Sequence, residues 1–167
     1  MFDRFGEFDS AEEINAKAAE LKAAGDMDGL TALAEENGLD EEDAQDYMDN
    51  GITTLCTWTT AAFGKLDVEC KELKLEREFE MLFQELKMMC YKESVARGIR
   101  KKGKDLATYL AKVIDLGYKQ AVTPPKAILD KVTEVPKQYR NQVKTGMPSK
   151  ADRKALILEY YGEKVSE

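Results

Sequence analysis

The segment 38–51, "GLDEEDAQDYMDNG", places six carboxylates in ten residues: Asp40, Glu41, Glu42, Asp43, Asp46 and Asp49. Three chemistries use such a density: a calcium loop, a solvated helix face, and a negative surface read by a basic partner. The EF-hand loop needs acids at alternate positions, Gly at the sixth and Glu at the twelfth. The sixth residue is Gln45 counting from Asp40 and Met48 counting from Asp43, so the calcium loop fails. The other two readings share one geometry. Asp40 sits where an N-cap belongs, and Glu41, Glu42 and Asp43 fill a first turn that favours negative charge. Acids three or four apart on a helix lie roughly 5–6 Å from one another, a row that imitates part of a phosphate track. These six residues are the candidate partner-binding set.

Two clusters offer the opposite charge. "RGIRKKGK" holds Arg97, Arg100, Lys101, Lys102 and Lys104, punctuated by Gly98 and Gly103. A helix C-terminus favours cations through its dipole alone, and the same cluster suits nucleic acid or an acidic partner. The second cluster is Lys137, Arg140 and Lys144 among Gln138, Tyr139, Asn141 and Gln142. Pro125 and Pro136 each open a short helix around a turn, the pattern of a helix-turn-helix reader of DNA. Both clusters are candidate nucleic-acid contacts.

Other chemistries lack their residues. The chain has no histidine, which removes Ser-His-Asp and Cys-His nucleophiles and every imidazole metal ligand. No GxxxxGK[ST] and no GxGxxG cradles a phosphate. Cys56, Cys70 and Cys90 lie 14 and 20 residues apart with no CxxC pair, so no zinc motif is present. Three thiols suit a reducing compartment better than a disulfide framework. A non-enzymatic protein without metal or cofactor is expected.

The elements that must position these side chains read as helices throughout. Ser10 and Glu13 form a capping box for a helix over 11–24 with Ile14, Ala18 and Leu21 inward, stopped by Gly25. A second helix over 28–36 turns Leu30, Leu33 and Ala34 inward and stops at Gly38. The acidic third helix buries Leu39, Ala44, Tyr47 and Met48 and ends at Asn50-Gly51. "TTLCTWTTAAF" has strand propensity, but a lone strand has no partner, so a short helix is expected. A long amphipathic helix follows, with Leu75, Phe79, Leu82, Phe83, Leu86, Met89 and Cys90 at helical spacing and Val95 and Ile99 extending it to Arg100. Its sulfur and aromatic residues suit a core rather than a cofactor site. Leu106, Tyr109, Leu110, Val113, Ile114 and Leu116 form another helix, ended near Gly117 or by Pro124-Pro125. Ser149 caps the last, which carries Leu156, Ile157, Tyr160 and Tyr161.

The fold class is therefore all-α. Charge divides it into an acidic three-helix module, residues 1–51, and a helical domain, residues 52–167, with a basic C-terminal half. Residues 1–51 hold 16 acids against Arg4, Lys17 and Lys22, a net of −13. Residues 91–154 hold 16 bases against 6 acids, a net of +10, so the whole-chain value of −7 hides a dipole. No apolar run approaches the roughly 18–20 residues that span a bilayer. "MFDRFGEFDS" lacks the apolar centre of a signal peptide. A cytoplasmic location without membrane contact is expected.

The stretches "FGEFDSAEEINAKA", "GLTALAEENGLDEEDAQDYMDNG", "IRKKGKDLATYLAKVI" and "MPSKADRKALILEYYG" resemble small proteins encoded on bacterial mobile elements, a pool that includes anti-CRISPR inhibitors of Cas9. The resemblance implies a protein that binds and inhibits a nucleic-acid-handling factor, such as a Cas nuclease with its guide RNA or target DNA. On that expectation the acids from Asp40 to Asp49 dock on a positive groove. The cations from Arg97 to Lys104 hold nucleic acid or close on the acidic module. The alternative is a DNA-binding accessory or regulatory protein that uses the helix pair around Lys137, Arg140 and Lys144.

Overall fold

Side chains at the ends of apolar-periodic runs set where the helices begin. The computed structural model describes residues 4–163. Ser10 caps α1 (Ala11–Ala23), its hydroxyl accepting from the Glu13 amide at 3.1 Å, and Glu13 accepts in turn from Asp9. Asp26 caps α2 (Met27–Glu36). Asp40 holds the N-cap position of α3 (Glu41–Met48), although its carboxylate makes no capping bond. Gly25 and Gly38 follow α1 and α2 with φ of +67° and +65°, the left-handed conformation that glycine adopts without strain. The inward residues read from the sequence, Ile14, Ala18, Leu21, Leu30, Leu33, Ala34, Leu39, Ala44 and Tyr47, form one buried cluster.

That cluster does not stop at residue 51. Leu55, Cys56 and Ala61 belong to it, and Trp58 packs against both this cluster and a second one. Asn15 clamps the crossing: its amide donates to the Cys56 carbonyl at 2.9 Å, and the Cys56 amide donates back at 3.0 Å.

The Thr-rich stretch is not a short helix but the start of the longest one, α4 (Trp58–Leu73), opened by a reciprocal box between Thr57 and Thr60. The expected long helix from Leu75 to Arg100 is in turn two helices, α5 (Glu78–Met89) and α6 (Glu93–Arg100), with a turn at 90–92. The reason lies in the spacing. Leu82, Leu86 and Cys90 recur every four residues, but Val95 lies five beyond Cys90, off the face a straight helix would bury. Breaking the helix returns Val95, Ala96 and Ile99 to the core. Phe79, expected inside, is 37% exposed at the start of α5.

α6 lies between α4 and α9 (Lys150–Tyr161), which Ser149 caps as expected and closes into a reciprocal box with Asp152. Gly98 makes that crossing possible, because a methyl group there would run into the Tyr161 backbone. α7 (Leu106–Gln120), capped by Asp105, buries Leu106, Tyr109, Leu110 and Val113 in the second cluster and exposes Ile114. It continues through Gly117, whose bare Cα lets the Gly146 backbone pass.

An arm, residues 121–148, joins α7 to α9. An antiparallel bridge between Val122 and Thr145, with bonds of 2.9 and 3.0 Å, closes its root. It holds a single-turn helix, α8 (Lys126–Leu129), and a six-residue 3-10 helix (Lys137–Gln142). This overturns the helix-turn-helix geometry: neither piece is an α-helix long enough to lie in a major groove. Among the described residues the fold is all-α, with nine α-helices, the 3-10 helix and no strand.

Candidate functional site

The six acids of segment 40–49 stand on α3, which rests on the first cluster through Ala44 and Tyr47. Asp40, Glu41, Glu42, Asp46 and Asp49 are exposed, and Asp43 is half-buried. Among the described residues none of the six is in an ion pair. Asp49 accepts from Gln45 at 2.7 Å. The nearby Lys22 pairs with none of them, its ammonium lying 4.4 Å from the centre of the Tyr47 ring and donating to the Tyr47 carbonyl. The result is a negative helix face held on a packed base with its charge uncompensated.

The basic stretch 97–104 is arranged otherwise. Arg100 is not a surface cation: it is fully buried, donating from Nη2 to the Phe8 carbonyl at 3.0 Å and to Asn37 Oδ1 at 3.1 Å. In this fold it cannot touch nucleic acid. Its position follows from α6, whose buried residues Val95, Ala96, Ile99 and Arg100 share one face. Lys101 pairs with Asp9 at 2.9 Å, and the Lys102 amide donates to the other oxygen of the same carboxylate. These hydrogen bonds from Lys102 and Lys101 hold the Asp9 carboxyl below its usual range, and Asp9 raises Lys101 in return. Lys104 pairs with Glu163 at 2.8 Å. Arg97 pairs with Glu93 at 2.6 Å and stacks over Trp58 at 4.1 Å. Within this stretch Arg100 and Lys101 bond to the acidic N-terminal part, while Lys104 and Arg97 pair elsewhere, and the exposed Lys102 side chain makes no ion pair among the described residues.

The third set stands in the arm. Lys137 and Lys144 are exposed. Arg140 is half-buried and braces the arm from within, donating to the carbonyls of Val135 at 3.1 Å and Asp130 at 3.2 Å.

One constellation carried no motif in the sequence. Lys65, 1% exposed, pairs with Glu7 from the N-terminal strap, faces Glu69 at 3.8 Å and donates to the Lys101 carbonyl at 3.3 Å. Glu69, 4% exposed, accepts from the Leu106 amide at 2.8 Å. Burial pushes the Glu69 carboxyl up to about 7, against the opposing pull of Lys65 and the Leu106 bond. A cavity of about 320 Å³ lies beside it, lined by Glu7, Glu72, Leu73, Asp105 and Ala107. A carboxyl exchanging its proton near neutrality beside a cavity is what acid–base catalysis uses. Here Oε2 takes the Leu106 amide of α7 and Oε1 faces Lys65, which in turn holds Glu7, so the group ties α7 and the segment around Glu7 to α4. The signal was spacing: Ala61, Ala62, Lys65, Leu66 and Glu69 follow one helical stripe, and a charged pair inside that stripe marks buried ions.

Among the described residues no group of three or more His, Cys, Asp and Glu side chains is placed to hold a metal ion. Burial pushes the Cys56 and Cys90 thiols up to about 12, which keeps them unreactive. Among the described residues no helix is long and apolar enough to cross a membrane. A scan against protein-family models matches none, and searches of curated proteins and of solved structures return no match.

Proposed function

We propose that this chain is a non-enzymatic binding protein of mobile-element type that inhibits a nucleic-acid-handling factor in the bacterial cytoplasm. Its partner on this reading is a Cas nuclease carrying guide RNA or target DNA, and α3 is the docking surface. One observation supports it above the others: five exposed carboxylates and the half-buried Asp43 lie on a short helix and its caps with no cation paired to them among the described residues. Elsewhere several exposed or half-buried charges are matched internally, Lys101 by Asp9, Lys104 by Glu163, Arg153 by Glu85. An unmatched negative row suits a groove that otherwise holds phosphates, because charge complementarity steers encounter and selects partners.

The test is binding to a guide-loaded Cas9 with Asp40, Glu41, Glu42 and Asp43 changed together to Asn or Gln. The expected result is affinity lower by at least tenfold, with a flatter salt dependence, at an unchanged melting temperature. Exposed charges contribute little to stability, so a loss of binding cannot be blamed on the fold. Unchanged affinity would reduce α3 to a solvated face.

A further inference from the structure

The arm between α7 and α9 carries cations that the fold does not use. Lys126, Lys137 and Lys144 are exposed and form no ion pair among the described residues. Two exposed tyrosines flank them in the chain, Tyr139 at 51% exposed within the 3-10 helix and Tyr118 at 78% on the last turn of α7. The arm's frame is fixed from inside. The Val122–Thr145 bridge closes its root one turn after Tyr118 and one residue from Lys144. Gly146 packs against Gly117 and Ala121. Leu129 is buried, and Arg140 ties the 3-10 helix to the end of α8. Lysines and stackable rings are thus displayed on a braced scaffold of short helical turns.

We infer that this arm binds single-stranded nucleic acid. Phosphates supply the complement to Lys126, Lys137 and Lys144, and unstacked bases supply faces for Tyr118 and Tyr139. Cationic tracks interleaved with aromatic rings are the general device for holding single strands without reading their sequence. A duplex does not fit the same surface. Its bases are stacked away from the tyrosines, and the arm offers no α-helix for a major groove. The acidic α3 face repels phosphate elsewhere on the molecule, so binding is local to the arm and weak at physiological salt. The inference stands apart from the docking role of α3, since the two surfaces share no residue.

Fluorescence anisotropy with the full chain tests it, using labelled oligo(dT) and oligo(rU) of roughly 16 nucleotides and a duplex of the same length. Salt is varied from roughly 50 to 200 mM. Both single strands are expected to bind at low salt and the duplex at least tenfold more weakly. Three phosphate contacts at about −0.7 each give a log–log salt slope near −2, which Lys126, Lys137 and Lys144 changed together to Gln abolish. Tyr139→Ala is expected to weaken binding about 5- to 100-fold and Tyr139→Phe to restore it, because the ring and not its hydroxyl stacks. Tyr139 is exposed, so melting temperatures stay unchanged. Equal affinity for duplex, no binding at low salt, or an unaffected Tyr139→Ala overturns the inference. Self-association of the chain through the arm, with no strand bound, overturns it in favour of a second copy as occupant.

Discussion

Glu69 is the residue whose protonation the fold controls most directly. Its burial holds the proton to about pH 7, against 4.5 for an ordinary glutamate. Below 4.5 both folded and unfolded chains are protonated there. Between 4.5 and 7 the unfolded chain gives up the proton while the folded one keeps it, so stability falls as pH rises, and the loss is complete above 7. One proton corresponds to about 1.4 kcal/mol per pH unit inside that window. The carboxyls lowered by partners, Asp9, Glu85 and Asp152, add the opposite dependence only below their ordinary values of 3.8 for the aspartates and 4.5 for the glutamate. The absence of histidine leaves the window otherwise nearly empty. Urea midpoints measured from pH 4.5 to 8 should therefore decline for the natural chain and stay level for Glu69→Gln, whose amide oxygen still accepts from Leu106. A decline that persists in Glu69→Gln would assign it to another group. The same residue shows why part of the site was hidden. Acids on α3 were legible because exposed helical charge needs only spacing to be recognised. Arg100 read as a surface cation because its neighbours Lys101, Lys102 and Lys104 form a basic run, whereas the phase of Val95, Ala96 and Ile99 places it inside.

At the scale of elements, the α6–α9 crossing rests on one missing methyl group. Gly98 lies so close to the Tyr161 carbonyl that any Cβ would force the helices apart. Tyr161 is fully buried and donates to the Asp105 carbonyl at 3.1 Å, which links the end of α9 to the cap of α7. Gly98→Ala should thus destabilise the protein by about 3 kcal/mol or more, since overpacking is compounded by a lost buried hydrogen bond. Gly103→Ala is a useful contrast, because nothing lies within 4 Å of a Cβ there and only its φ of +77° opposes substitution. Comparable melting temperatures for the two variants would contradict the tight crossing. Some helix starts were readable, because Ser10 and Ser149 announce themselves as caps by residue type. Helix lengths were less so. The break at 90–92 depends on tertiary return of Val95 to the core, and α4 was obscured because threonines that favour strands also cap helices.

The whole molecule is chemically dipolar and mechanically joined. Charge suggested a detachable acidic module ending at residue 51, but the two halves hold each other by groups that neither can satisfy alone. Lys65 in α4 takes Glu7, Arg100 in α6 takes Phe8 and Asn37, and Asn15 in α1 takes Cys56. Gly64 lies directly against the Asn37 and Gly38 backbone. Removing residues 1–51 would strip Lys65 and Arg100 of these partners and bare Leu55, Cys56 and Ala61. Burying one large aliphatic side chain is worth about 1.5–3 kcal/mol, a large share of the roughly 5–15 kcal/mol that holds a domain folded. The chain of residues 52–167 is therefore expected not to fold alone, and the intact protein to unfold in one cooperative step. Calorimetry, with tryptophan fluorescence following Trp58 between the two clusters, checks both. A single transition with coincident probes is expected for the full chain. A fragment 52–167 that melts cooperatively near the temperature of the parent would make the halves independent domains. Failure of that fragment would mean that the negative face of α3 and the cationic arm are held on one body, so a partner engaging either one meets both in fixed geometry.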